Sequence, residues 1–419
     1  MRRFLWALLL AAPVWSEQLT LKDALATAEK ASPEVQEARL RTLESEAQAL
    51  VQKAALMPQL GVNIGVNYQT TNLQGIGVIA PGFPSRVGPY RVFDARPRLT
   101  QQVLDLSLLA QYRAAKARAG QAKFDAETTA ERTRLAVIQI YLQTLAADSR
   151  ARAAAARVDT AKAVLAQVGD AEKAGTSSKL DVARATQRIE SEQATLVLAR
   201  RDRDSLLTNL KKTIGMPQST PVEVVEFTPS MAEPDGGVRP ETLALDARRK
   251  VLNEEKRQSE RERYPKIGAF GDYGVLGQDP ANAVSTYTVG VTVSVPVWTS
   301  GRIENEIKAA RYRLQQLDQQ KRALDLAIDQ ESAQARLERD AAREALQSAA
   351  RATTAARESL ELARLRYGAG LTTNLDVITA QGNLAQTEEE EIRTRYEGLL
   401  ASANLARARG DVMAFVRSR

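Results

Sequence analysis

Four segments of the chain alternate between apolar residues and polar or small ones. This is the pattern of β-strands whose two faces meet different surroundings. In LGVNIGVNYQ, which begins at Leu60, every second residue is apolar, and TYTVGVTVSV, which begins at Thr286, follows the same rule. The predicted strands cover about 60–70, 91–104, 266–276 and 286–298. The chain must therefore build a sheet with one apolar face and one polar face.

The apolar face of these strands predicts contact with lipid. The neighbouring helices are too polar to cover it, so we expect lipid on the apolar side and water on the other. Aromatic residues near the strand ends fit the interface between membrane and water, although ordinary β-propensity would also place aromatics in strands. The predicted interfacial aromatics are Tyr68, Tyr90, Phe93, Tyr273, Tyr287 and Trp298.

Four strands are too few to close a barrel in a membrane, because an open edge leaves backbone groups unpaired in hydrocarbon. The smallest single-chain barrels of this type have about eight strands. Several chains must therefore share one barrel, and three chains would give twelve strands. The strand pattern itself excludes one chain and does not choose three over two or four.

Two very long helices are predicted at about 105–171 and 301–367. At a rise of about 1.5 Å per residue, each would be about 100 Å long. Apolar residues are spread thinly among many charges, which fits a hollow ring of helices with water on both sides. A two-stranded coiled coil would also explain the helices, but it would leave the strands without a partner.

The chain repeats itself at a constant offset. GTSSKLDV begins at Gly175 and GLTTNLDV at Gly370, and Gly215 and Gly410 keep the same spacing. We predict two internal repeats, each with a helix, two strands, a long helix, a tip turn and a further helix. The repeats cover 17–214 and 241–419 around a connector at 215–240, with first helices at 20–56 and 241–263, tip turns at 172–178 and 368–373, and last helices at 179–214 and 374–409.

The first residues, MRRFLWALLLAAPVWS, have a basic start and a short apolar run. They are predicted to be a signal peptide, residues 1–16, removed before Glu17. The chain contains no Cys and no His, which excludes the usual zinc ligands and the commonest general base. We expect no enzyme activity and no cofactor. The net charge of +7 comes without a basic stripe and interleaved aromatics, so we expect no nucleic-acid partner.

Several stretches, taken in their order, resemble the TolC family of outer-membrane channel proteins over essentially the whole mature chain. They are the two tip-turn motifs, RYGAG at 366–370, Pro58 and Pro265 at the predicted helix-to-strand junctions, and the similar stretches at 99–107 and 293–301. The resemblance implies an α+β membrane protein in the cell outer membrane. It implies a homotrimer whose twelve-stranded barrel continues into a long periplasmic α-helical barrel.

The resemblance also implies a function. Such a chain is the outer-membrane component of a tripartite efflux pump or a type I secretion system. It is a passive duct, driven by an inner-membrane transporter through a periplasmic adaptor, or membrane fusion protein. The adaptor would dock at the tip turns, through Gly175, Thr176, Gly368, Gly370 and Leu371. The alternative is a periplasmic adaptor or coiled-coil scaffold, but adaptors have one hairpin between compact β-domains and no duplication.

The resemblance places a gate at the tip turns. Tyr367 and Asp181 fall on gate contacts, and Asp376 falls on an acidic ring that would attract cations. Thr379 stands where a second Asp is common, which predicts a weaker acidic constriction, and Thr372 stands where a basic residue is common, so a salt-bridged latch is not expected there. Helix capping explains both aspartates equally well, and packing explains the tyrosine, so both roles stay open.

Overall fold

The structure is a computed structural model that describes residues 17–77, 81–82, 84–227 and 236–417. The predicted signal peptide lies outside these residues. The described residues fall into two compact units. The first takes its residues from within 1–39, 125–243 and 322–419, and the second from 40–124 and 244–321.

Eight α-helices and six β-strands are described. In chain order they are β1 (Glu17–Leu19), α1 (Leu21–Ala31), α2 (Pro33–Ala54), β2 (Gln59–Asn72), β3 (Arg86–Leu104), α3 (Leu106–Lys173), α4 (Lys179–Ile214), β4 (Val222–Val224), α5 (Pro240–Arg261), β5 (Lys266–Gly277), β6 (Val284–Ser294), α6 (Arg302–Gly368), α7 (Asn374–Ala408) and α8 (Met413–Arg417). Within the described part of the chain, none of the helices combines the length and apolar character needed to cross a bilayer.

Two predicted boundaries differ from the structure because of proline. The helix predicted at 20–56 is two helices, since Ser32 is extended and Pro33 starts α2. Proline forces the residue before it out of the helical region and is tolerated at the first helical position. The fourth strand ends at Ser294 and not at Trp298, and Pro296 lacks the N–H that a continuing ladder would need.

The core of the first unit surrounds Tyr141 of α3, which is fully buried. Its hydroxyl lies 2.9 Å from the carbonyl oxygen of Leu19 and 2.7 Å from that of Val225. These carbonyls flank a small parallel sheet of β1 and β4, which the sequence did not predict. Leu142, Leu210 and other buried apolar side chains pack in the same cluster, and each contributes about 1.5–3 kcal/mol by burial.

The second unit contains an antiparallel sheet in the order β2-β3-β5-β6. Leu60 lies opposite Leu99, and Ile64 lies opposite Ala95, so the apolar positions of β2 and β3 share one face. Irregularities shift the register of β2 near Thr71 and of β3 near Leu104. In the described residues β2 and β6 are the edge strands, each paired on one side.

Candidate channel surfaces

One face of the sheet is apolar and exposed. On β6, Val289, Val291 and Val293 are 77%, 68% and 61% exposed, and the alternate residues of β2 are exposed to a similar degree. Val289 lies opposite Gly271, which lies opposite Leu99, so the apolar positions align across the strands. A soluble sheet would cover such a surface, whereas a membrane sheet presents it to lipid.

The opposite face carries polar and charged side chains. Arg96 forms ion pairs with Asp94 at 2.5 Å and with Asp272 at 2.9 Å. The guanidinium of Arg98 lies 4.9 Å from the ring centroid of Phe270, a cation–π contact. The two faces therefore have opposite chemical character.

The predicted interfacial aromatics do not all lie on the apolar face of the sheet. Tyr68, Phe93, Tyr273 and Tyr287 occupy apolar-face positions, and Tyr273 lies directly opposite Tyr287. Tyr90 differs, because it pairs with Gln69 on the polar face, where the Gln69 amide donates to its hydroxyl at 3.1 Å. Trp298 lies beyond the end of β6 and is 85% exposed.

The two tip turns, residues 174–178 between α3 and α4 and residues 369–373 between α6 and α7, have the same backbone design. Gly175 and Gly370 adopt φ of 77° and 72°, the left-handed region that favours glycine. The next residues, Thr176 and Leu371, each donate a backbone hydrogen bond of 2.8 Å to the carbonyl five residues earlier. This six-to-one bond closes the end of a helix and reverses the chain.

Asp181 caps the start of α4. It accepts hydrogen bonds from the hydroxyl of Ser178 at 2.6 Å and from the backbone N–H of Ser178 at 3.2 Å, and the Asp181 N–H donates back to that hydroxyl. The Ser178 hydroxyl is the main reason why the pKa of Asp181 lies below its usual range. This reciprocal pattern is a capping box.

Asp376 occupies the matching position in α7 and is exposed. The hydroxyl of Thr372 donates to it, and the N–H and hydroxyl of Thr373 lie 3.3 Å and 3.2 Å from the same carboxylate oxygen. These donors, Thr372 first, hold the pKa of Asp376 below its usual range. Asp376 is therefore an ionised, exposed carboxylate that also serves as a cap.

The tip turns contact each other through polar groups. The hydroxyl of Tyr367, which is half-buried, lies 3.4 Å from the hydroxyl of Ser177. The side-chain amide of Asn374 donates to the backbone carbonyl of Asp181 at 3.2 Å. Neither Ser177 nor Asn374 was among the predicted site residues. In the sequence, Asn374 differs from the equivalent residue of the first repeat, Lys179, and this difference was the only indication of a separate role.

Apolar side chains are exposed around the turns. Leu180, Leu371 and Leu375 are 57%, 70% and 51% exposed. Leu180 and Leu375 occupy equivalent places in the two motifs, and of these three leucines only Leu371 was a predicted site residue. Behind them, Val164, Val168, Leu360 and Val377 form a small buried cluster. Among the described residues, no group of three or more acidic side chains is placed to hold a metal ion.

The comparisons with known proteins identify the family. The sequence model of the family described as "Outer membrane efflux protein" matches residues 24–216 and 238–411. The chain belongs to the outer membrane efflux protein family. The predicted resemblance to TolC-type channels and the predicted outer-membrane location are thereby confirmed. Proteins of this family are efflux channels and not enzymes.

Individual relatives of this outer membrane efflux protein are distant but match over most of their length. It is 24% identical to the pyoverdine export outer membrane protein OpmQ of Pseudomonas putida over 405 residues, 93% of this chain and 85% of the relative. It is 21% identical to the outer membrane protein TolC of Escherichia coli over 423 residues, 93% of this chain and 84% of the relative.

Among solved structures, the crystal structure of the CmeC outer membrane channel of Campylobacter jejuni has the same fold. The TM-score is 0.80 at 16% identity, over 93% of this chain and 85% of CmeC. The family match covers both halves of the chain, which favours a channel over the alternative of a periplasmic adaptor or coiled-coil scaffold.

Proposed function

We infer that three copies of this chain form the exit duct of a tripartite efflux pump or a type I secretion system. Each copy, after removal of residues 1–16, would contribute four strands to a twelve-stranded barrel. Its two repeats would contribute the long helices of a periplasmic tunnel. The duct is passive, and an inner-membrane transporter drives transport through it.

The observation that carries this proposal is the sheet of β2, β3, β5 and β6. Its apolar face is exposed, and within the described residues its edges are unpaired. Unpaired backbone groups cost several kcal/mol each in hydrocarbon, so an open four-stranded sheet is not stable in a membrane. Pairing β6 of one copy with β2 of the next would satisfy both edges and leave the apolar face toward lipid.

The tip turns support docking of a periplasmic adaptor. Leu180, Leu371 and Leu375 present apolar surface beside backbone that is fixed by Gly175 and Gly370. Rigid turns with exposed leucines suit helix-in-groove contacts with a partner hairpin. Around the trimer axis, Asp376 would form a ring of three carboxylates that selects cations. Opening would be a two-state change of the tip helices, biased by the adaptor.

Mass measurement of the purified chain in detergent tests the assembly. We expect three copies per particle and precipitation or aggregation when detergent is removed. A monomer that stays in solution without detergent would overturn the proposal.

The cargo is tested separately, with a deletion strain grown against a panel of toxic compounds and assayed for lost secreted proteins. The culture medium of the same strain is also assayed for exported pyoverdine, because relatives are named for its export.

A further inference from the structure

A large polar cavity of about 1040 Å³ lies in the second unit, where α5 leads into β5 and α6 follows β6. The side chains that line it come mainly from 257–264 and 304–311. These segments directly flank the sheet strands. The cavity therefore lies at the junction between the sheet and the helices of its own unit.

The charge in this cavity is not balanced. Arg263 is paired with Glu304 at 3.0 Å, and Arg257 is paired with Glu254 at 2.5 Å. The remaining carboxylate of the lining, Glu260, lies 3.3 Å from Lys256. Arg261, Lys308 and Arg311 also line the cavity, and the described residues provide no ion pair to any of them. Three cationic groups therefore face one space without a counter-ion.

Arg261 provides a second, independent observation. Its Nη1 atom is buried and has no hydrogen-bond partner among the described residues. A buried donor without an acceptor is costly, and a guanidinium is most strongly satisfied by the oxygens of a carboxylate or phosphate. Among the described residues no acceptor lies within reach of this atom, and the same helix also carries a buried oxygen without a partner, Oε2 of Glu254.

The surroundings of the cavity fit the surface of a membrane. Tyr264 lines the cavity and is 53% exposed, and Trp298, just before α6, is 85% exposed. Exposed Tyr and Trp beside Lys and Arg are typical of the level at which lipid headgroups lie. A pocket of three uncompensated cations at this level favours a headgroup that carries net negative charge.

We propose that Arg261, Lys308 and Arg311 form a binding site for the phosphate group of an anionic phospholipid. The site rests on the proposed membrane insertion of the sheet and adds a specific lipid contact to it. Arg261 would contribute its positive charge from α5, and Lys308 and Arg311 would complete the neutralisation from α6. A lipid held there would tie α5 to α6 directly beneath their strands.

Native mass spectrometry of the full chain in detergent tests the site. The probes are phosphatidylglycerol, zwitterionic phosphatidylcholine and inorganic phosphate, each added alone. We expect retained phosphatidylglycerol and little phosphatidylcholine. The triple variant Arg261→Gln, Lys308→Gln and Arg311→Gln should bind phosphatidylglycerol about tenfold or more weakly, because charge-assisted hydrogen bonds are lost.

A matched control removes three other cations. Arg113, Arg248 and Lys250 are exposed, none of them lines the cavity, and the variant Arg113→Gln, Arg248→Gln and Lys250→Gln should bind like the unchanged protein. Equal loss in both triple variants would overturn the site in favour of general charge attraction. Retention of inorganic phosphate without a preference between the two lipids would overturn the assignment to lipid.

The assembly state separates this inference from the proposed function. If the protein is trimeric and fractionates with outer membranes but shows no preference for phosphatidylglycerol, only the lipid site fails. If the protein is monomeric and soluble without detergent, the proposed channel fails. Membrane fractionation and mass measurement in detergent are therefore carried out on both triple variants and on the unchanged protein.

Discussion

The side-chain amide of Asn374 donates a hydrogen bond to the backbone carbonyl of Asp181, 3.2 Å away, and so joins the second tip turn to the start of α4. Asn374 is 1% exposed, although it is the first residue of α7. The two halves of the chain are linked here by a residue that only one of them contains, because the first repeat has Lys179 at this place.

Asn374→Ala should loosen the first tip turn. The substitution removes the only side-chain donor to the Asp181 carbonyl among the described residues, a bond that contributes about 0.5–1.5 kcal/mol. Hydrogen exchange of backbone amides at 174–182 should become faster. Thr379→Ala, on an exposed position of α7, is the control. Unchanged exchange at 174–182 would show that the bond does not couple the turns.

Asp376→Asn should reduce block of the channel by multivalent cations. Asparagine keeps an oxygen that can cap α7, but it removes the charge that a ring of carboxylates would present. The measurement is conductance in planar bilayers with added multivalent cations. Asp170→Asn, an exposed aspartate of α3, should leave the block as it is. If Asp376→Asn leaves it unchanged too, Asp376 acts only as a helix cap.

Val289→Arg should prevent membrane insertion, whereas Thr288→Arg should not. The two residues are neighbours on β6 but point to opposite faces, and both are exposed. An arginine on the lipid face costs about 2–4 kcal/mol at the bilayer midplane, and one in the lumen stays in water. Outer-membrane fractionation of both variants measures how much of each is inserted. Equal insertion of the two would mean that the Val289 face does not meet lipid.

Gly215→Ala should destabilise the protein more than Gly370→Ala. Both glycines have positive φ, 76° and 72°, which costs a side-chain-bearing residue about 1–2 kcal/mol. At Gly370 a methyl group would meet nothing within 4 Å, but at Gly215 it would lie 2.2 Å from the carbonyl oxygen of Ala31. Thermal unfolding should show a clearly lower midpoint for Gly215→Ala. Similar midpoints would mean that the chain around Ala31 adjusts freely.

Tyr141 should ionise later than an ordinary tyrosine. Burial raises its pKa to about 12, from about 10 in an unfolded chain. The raised pKa favours the neutral phenol in the folded state, so this contribution to stability is present below about pH 10 and is lost as the pH rises through 12. In Tyr141→Phe, the absorbance of tyrosinate at high pH should lack the last step. An unchanged titration would place that step on another tyrosine.

The sequence by itself determined the features that depend on neighbours along the chain. The period of two in LGVNIGVNYQ and TYTVGVTVSV located strands, and the Gly and Asp residues of GTSSKLDV and GLTTNLDV located two turns followed by capped helices. The start of α4 at Lys179 and of α7 at Asn374 followed from these signals. Periodicity and caps are local, so one sequence window contains the whole signal.

Only the tertiary structure decided what residues far apart in the sequence do together. The pairing of Glu17 with Val222 and the bond from Asn374 to Asp181 have no local signature. A three-residue strand has almost no pattern of its own, and a hydrogen bond between two turns joins residues that are far apart in the sequence. The unpaired Nη1 donor of Arg261 also has no local signature, because the absence of an acceptor among the described residues depends on every element packed around it.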